Sequence, residues 1–289
     1  MAKENSQRLA VAKTVKMFIG GAFPRTESGR VYKVNNRKGQ LIANACRASR
    51  KDLREAVVAA RGRAGAWQGI SAYLRSQILY RMAEILEERR DTFIDARRAL
   101  GDTPRSATRS VDRAIDDIVY YAGWCDKLTQ VFGSVNPVAS PHYNFSSLEP
   151  MGVVAALVGH GQGLKGLIDV VVPALAGGNT VVVLADEADP LTAILFAEVA
   201  HASDVPPGAL NVLTGQVADV APSMASHKDI NALVHTLTDA AQAAECARLS
   251  AINIKRVIAR DPARKGQMPS AYRVLDTVET KTTWHPIGV

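Results

Sequence analysis

From residue 153 onward, short continuously apolar runs alternate with helix-patterned stretches, and this alternation constrains the fold more than any other feature. Val153–Val158, Thr180–Leu184, Ala209–Leu213, Ile230–His235 and Ile254–Ala259 are runs of five or six residues rich in β-branched side chains. Between them lie helical patterns at Leu164–Leu175, Leu191–Ala202, Val217–Ser226 and Thr238–Ser250. Strands without polar alternation are buried on both faces, and strands separated by helices pair in parallel. The chain is therefore expected to be α/β, with a parallel sheet of about five strands covered by helices on both faces.

The preceding half reads differently. Residues 1–16 form a polar, mixed-charge arm, and residues 17–45 hold short strands, at Met17-Phe18-Ile19 and Val31–Val34, joined by turns. Ser49 and Ser71 sit where helix N-caps belong. Leu53, Val57, Ala60, Ala64 and Trp67 make one apolar stripe, and Leu74, Ile78, Met82, Ile85 and Leu86 a second. A third helix is expected from Ser106 to Lys127. Pro137, Pro141 and Pro150 punctuate a linker-like stretch. The tail, Tyr272–Trp284, is rich in Thr and Val and is expected to be one long strand.

Charge is unevenly spread. Residues 1–130 carry 25 Lys and Arg against 14 Asp and Glu, whereas residues 131–289 carry 10 against 14. Acids interleave the bases at Asp52, Glu55, Glu84, Glu87, Glu88 and Asp91 without aromatic stacking motifs, so solvated helix faces are expected rather than a nucleic-acid surface. No apolar run is long enough to span a membrane. The three cysteines, Cys46, Cys125 and Cys246, are far apart, which argues against a disulfide scaffold or zinc module. The first sixteen residues lack the apolar core of a secretory signal, and a cytoplasmic location is expected.

The first apolar strand runs into Gly159-His160-Gly161-Gln162-Gly163-Leu164-Lys165-Gly166. Gly161, Gly163 and Gly166 match GxGxxG between a strand and a helix, the setting of a dinucleotide fingerprint. Asp186 and Glu187 follow the next strand about twenty residues on, where a ribose-binding acid belongs.

Several blocks resemble the aldehyde dehydrogenase superfamily. They are Phe18-Ile19-Gly20-Gly21, Ala56–Trp67, Arg75–Arg90, Tyr121–Trp124, Glu149–Val154, Pro173–Thr180, Pro190–Ala193 and, most closely, Pro206–Gly215 (PPGALNVLTG). The resemblance covers about Lys16 to Lys255. It implies a Rossmann-type nicotinamide-binding domain and a small oligomerisation sheet. On that frame, 1–16 is a flexible arm, and 17–135 holds the strands and helices packed on the sheet. Residues 136–151 are an oligomerisation linker or strand, 152–262 the degenerate nicotinamide-binding domain, and 263–289 the C-terminal oligomerisation strand.

The resemblance also shows where this chain departs. The family's Pro-Trp-Asn-Phe-Pro loop corresponds to Gly159–Gly163, so Gly161 stands at the asparagine that helps hold the oxyanion. Leu184 stands at the ribose lysine, while Glu187 keeps the acid three residues later. The Phe-Thr-Gly-Ser loop reads His235-Thr236-Leu237-Thr238, with Leu237 where glycine admits the cofactor phosphates. Arg256–Arg260 replaces the segment that carries the family's glutamate base. No cysteine follows Cys246, so no nucleophile corresponds to the family's. The chain resembles the truncated, non-catalytic second unit of the two-unit aldehyde dehydrogenases, with the catalytic domain absent.

No catalytic or metal-ligating residue is therefore expected. Cys246 and Cys125 read as small buried hydrophobes. His227 and His235 lack a carboxylate at ligand spacing. Glu187, Gly161, Gly163 and Gly166 are the candidate cofactor contacts, with His160 and His235 the histidines placed where a ligand could reach them. The expected role is a non-catalytic subunit without a cofactor of its own. It would assemble through the terminal strand with a complete NAD(P)-dependent aldehyde dehydrogenase, or with itself. The alternatives are a nucleotide-binding module with weak residual NAD(P) binding, or a homo-oligomer with residual oxidoreductase function.

Overall fold

A computed structural model describes residues 13–261 and 268–288. The expected arm lies outside these residues except at its end, where Thr14–Val15 forms β1. β1, β2 (Val31–Asn35) and β3 (Leu41–Cys46) make a three-stranded sheet of order β1-β3-β2. Met17–Ile19, expected as a strand, makes only isolated bridges, including Phe18 to Val212. Glycines at 20 and 21, both with positive φ, turn the chain before a ladder can grow.

Four longer helices follow. Ser49 caps α1 (Arg50–Gly69) in a reciprocal capping box with Asp52, and Ser71 caps α2 (Ala72–Glu88). α3 (Arg90–Ala99) leads to α4 (Pro104–Ala122), which Thr103 caps and Pro104 opens. α4 thus ends short of the expected Lys127, and a short α5 (Leu128–Phe132) follows.

The expected parallel sheet is present. Its strands are β6 (Val153–Leu157), β7 (Thr180–Leu184), β8 (Leu210–Leu213), β9 (Ala232–His235) and β10 (Arg256–Ala259), in the order β10-β9-β6-β7-β8. All pairings are parallel, with Ala155 opposite both Val182 and Leu233. Every residue of the inner three strands and β8 is buried. α6 (Gly163–Ala176) and α7 (Pro190–Ala202) cover one face, backed by α2, α3 and α4. α1, α8 (Val217–Ser226) and α9 (Ala240–Ser250) cover the other. Two apolar cores result, one on each side of the sheet.

The linker-like stretch contains strands. β4 (Ser134–Asn136) and β5 (His142–Pro150) pair antiparallel, and β11 (Val278–Pro286) pairs with β5 along nine residues, from Val278–Pro150 to Pro286–His142. The prolines sit between or at the ends of these strands, where no ladder donor is lost. The terminal strand therefore already has one partner within its own chain. The tail is also not one strand: Tyr272–Leu275 forms a helical turn, α10. Tertiary bonds override its β-forming composition. Arg273 Nη1 donates to Asp169 Oδ1 at 2.5 Å, Arg260 Nη2 donates to the Arg273 carbonyl at 2.9 Å, and Asn179 Nδ2 donates to the Thr277 carbonyl at 2.9 Å.

Candidate functional site

The chain enters the parallel sheet at β6, builds β7 and β8 to one side, then returns to add β9 and β10 on the other. The order reverses between β6 and β9. Loops leaving the carboxyl ends of those strands diverge, and doubly wound sheets open their ligand crevice there. Here a crevice of about 440 Å³ lies at that point, bordered by Gly159, His160, Glu187, Gln216, Leu237 and Asp239, among others.

The candidate glycines have separate roles. Gly161 lies in the turn, with φ +77° and open space around it. Gly163 begins α6 with φ +49°, and a side chain there would collide with Arg97 Nη1 and approach Asp189 Oδ2 to 2.8 Å. Gly166 lets the helix lie on the sheet: a Cβ would stand 2.5 Å from the Gln162 Cβ and 2.9 Å from a Val158 methyl. Of the three, Gly161 adjoins a second cavity shared with Asp186 and Asp189, while Gly163 and Gly166 serve packing.

Glu187 borders the crevice and meets His160: Nδ1 and Oε1 are 3.5 Å apart, with both side chains solvent-accessible. The parallel pairing of β6 and β7 brings these residues, 27 apart in sequence, side by side. His235 is buried beneath the sheet's end, its Nδ1 has no hydrogen-bond partner among the described residues, and burial lowers its pKa. It does not border the crevice. The Tyr32 hydroxyl is likewise unpartnered, with its pKa raised by burial and then by Glu187, Asp186 and Asp189.

The helix starts around this site are occupied by the chain's own acids. Asp186, 2% exposed, accepts from Gly163 N through Oδ2 at 2.8 Å and from Ala188 N through Oδ1 at 2.9 Å. Asp239 caps α9, its Oδ1 accepting from Ala241 N at 2.8 Å and Gln242 N at 3.1 Å. Asp189 caps α7 through Thr192 N at 3.1 Å. The N-cap residues of α6 and α8, Gln162 and Gln216, make no side-chain cap bond; at α6 the Asp186 carboxylate takes the first amide from outside the helix. Sequence reading singled out Glu187 but missed Asp239. Asp before an alanine-rich helix is a cap signal, but its place beside the crevice comes from the sheet order.

No thiol lies at the crevice. Cys46, Cys125 and Cys246 are free and buried; burial pushes Cys125 up to about 12 and raises Cys246. Among the described residues no group of three or more His, Cys, Asp or Glu could hold a metal ion, and no helix is long and apolar enough to cross a membrane.

Comparison with known proteins agrees with this architecture. A model of the aldehyde dehydrogenase family matches residues 23–260. The 2-hydroxymuconic semialdehyde dehydrogenase of Pseudomonas sp. is 35% identical over 230 residues, covering 78% of this chain and 47% of that protein. The cytosolic 10-formyltetrahydrofolate dehydrogenase of Pongo abelii is 33% identical over 230 residues, covering 76% of this chain and 25% of that protein. A Bacillus cereus aldehyde dehydrogenase solved in complex with NAD+ superposes with a TM-score of 0.81 at 26% identity, over 86% of this chain and half of its own. The chain thus spans half or less of the length of these relatives. From the parallel sheet, the switch-point crevice and the match across most of its residues, the chain belongs to the aldehyde dehydrogenase family.

Proposed function

We propose that this chain is a non-catalytic aldehyde dehydrogenase-like subunit that assembles with a complete, NAD(P)-dependent aldehyde dehydrogenase and supports its structure or regulation. The observation that carries this reading is β11. It stands at the edge of its sheet, nine residues long, and is exposed at every position after Val278. An edge of that length is a template for adding a strand from another chain. Trp284 is 57% exposed there, and Val135 and Tyr143 on the neighbouring strands are also exposed. The chemistry of the crevice agrees: no cysteine borders it, and Gly161, in the neighbouring cavity, offers no side chain to an oxyanion.

Affinity purification of the tagged chain from its native cell, with intact mass measured on the eluted complex, tests the proposal. The expected result is a complex with a longer family member that bears a cysteine reactive toward a thiol probe. A monomer that retains nothing would overturn the reading, and so would a complex containing only copies of this chain.

A second reading, a nucleotide-binding module, draws on the crevice at the switch point and on Glu187 within it. Calorimetric titration of the purified chain with oxidised and reduced nicotinamide cofactors separates the two.

A further inference from the structure

We infer that the switch-point crevice excludes dinucleotides because the chain's own carboxylates hold the anion positions. This inference is independent of the assembly reading: it concerns only what the isolated chain can bind. A dinucleotide brings a pyrophosphate with two negative charges. Such a group is held by free N–H groups at a helix N-terminus, by basic side chains, and by glycines that let the backbone come close.

Glycines remain at 159 and 161, but amides at two helix starts are already taken and basic side chains are missing from the border. At α6 the first amide, Gly163 N, already donates to Asp186 Oδ2 at 2.8 Å, and Arg97 fills the space in front of that glycine. At α9 two amides, Ala241 N and Gln242 N, already donate to Asp239 Oδ1. Asp239 borders the crevice, so an incoming phosphate meets a carboxylate where it needs donors. Glu187 suits a ribose hydroxyl but offers nothing to the phosphates, and no Lys or Arg stands among the bordering residues. Leu237, packed against the core beneath, projects a side chain from the loop that precedes α9. The start of α8 likewise has no side-chain cap, and Asp219 lies in its first turn, paired with Arg47 at 2.5 Å. The crevice thus lies where a dinucleotide would bind, but its border holds two carboxylates and no Lys or Arg for the ligand's phosphates.

The test is titration calorimetry of the full chain with NAD+ and NADH, comparing the unaltered protein with Asp239→Ser and with Asp239→Ser/Leu237→Gly. Serine keeps a helix cap while removing the charge, so the fold is retained; circular dichroism and the melting temperature check this. The expected result is no saturable heat from the unaltered chain at millimolar cofactor. The double variant should bind at least roughly tenfold more tightly than the unaltered chain, from freed amides and one less like charge. Sub-millimolar binding by the unaltered chain would overturn the exclusion. A folded double variant that gains nothing would overturn its assignment to Asp239 and Leu237.

Discussion

Arg97 Nη1 donates to Asp189 Oδ2 at 2.7 Å, in the space that a side chain on Gly163 would need. The same guanidinium reaches Asp102 Oδ2 at 2.5 Å, and Arg37 reaches Asp102 Oδ1 at 2.8 Å, so two cations face two carboxylates that are each about 95% buried. Burial raises the Asp189 pKa, and Arg97 acts against that rise. This cluster joins α3 to the start of α6 and to the cap of α7. It explains the second glycine of the GxGxxG match without any ligand.

Arg97→Met should therefore be severe. It leaves Asp189, 4% exposed, without its cation, and breaking a buried pair costs about 3–5 kcal/mol. Urea unfolding followed by circular dichroism reads this as a lower midpoint at unchanged slope. A loss under about 1 kcal/mol would mean that the cluster is rehydrated once the cation is gone.

The Asp117 carboxyl, buried between α4 and α6, is raised to about 6, chiefly by burial and against the pull of Arg113. A carboxyl raised in the folded state is protonated there while the unfolded chain is already ionised. Between about pH 4 and 6 its contribution to stability therefore falls as pH rises, by about 3 kcal/mol in full. His235 and His227, both lowered by burial, act oppositely, costing stability as pH falls below 6.5. The difference between the wild type and Asp117→Asn isolates the carboxyl. The variant should gain relative to wild type between pH 4 and 6, measured as the difference in urea midpoint. A difference independent of pH would place the Asp117 pKa at its ordinary value.

The parallel sheet was legible because its strands need no partner information: Thr180–Leu184, apolar at every position after Thr180, forms β7 with those same bounds. The helices on its faces were legible from caps and stripes, as at Ser49 and Ser71. What escaped depends on contacts distant in sequence. α10 is helical because Arg273 reaches Asp169, 104 residues away. β5 hid behind flanking prolines, and its ladder to β11 joins residues 128 to 144 apart in sequence. At the crevice, Glu187 could be found by its spacing from the glycine loop. Asp239 is beside it only because β9 pairs with β6.

Asp52, the N3 residue of the α1 capping box, gathers donors from two segments. Its Oδ2 accepts from Ser49 N at 2.6 Å, Ser49 Oγ at 2.7 Å and Thr26 Oγ1 at 2.7 Å, and its Oδ1 from Glu27 N at 3.3 Å. Asp52→Ala orphans these donors at once and should cost about 2–3 kcal/mol, whereas Ser49→Ala should cost about 1 kcal/mol. Equal losses in denaturant unfolding would mean that Thr26 and Glu27 find other acceptors.

The thiols should be inert in the folded protein. Cys46 and Cys125 are buried, and Cys125 titrates near 12. Thiolate is the reactive form, so a disulfide-exchange reagent at pH 8 should label none of the three cysteines rapidly. In denaturant all three should react. Rapid labelling of one thiol in the native chain would reopen the question of a nucleophile.

The outer edge of β11 separates assembly from folding. Trp284 is more than half exposed; its indole packs edge-on against His142 at 5.8 Å, and its backbone pairs with Asn144. Lysine on an edge strand opposes further pairing by bringing charge into the new ladder, while leaving the existing one intact. Trp284→Lys should thus keep the melting temperature within a few degrees, since exposed substitutions usually change stability by about 0.5 kcal/mol or less. The same variant should lose the complex in affinity purification and sediment as a monomer. If it retains the partner at wild-type stoichiometry, the docking surface is not this edge, and the exposed start of the sheet at Val135 becomes the next surface to alter.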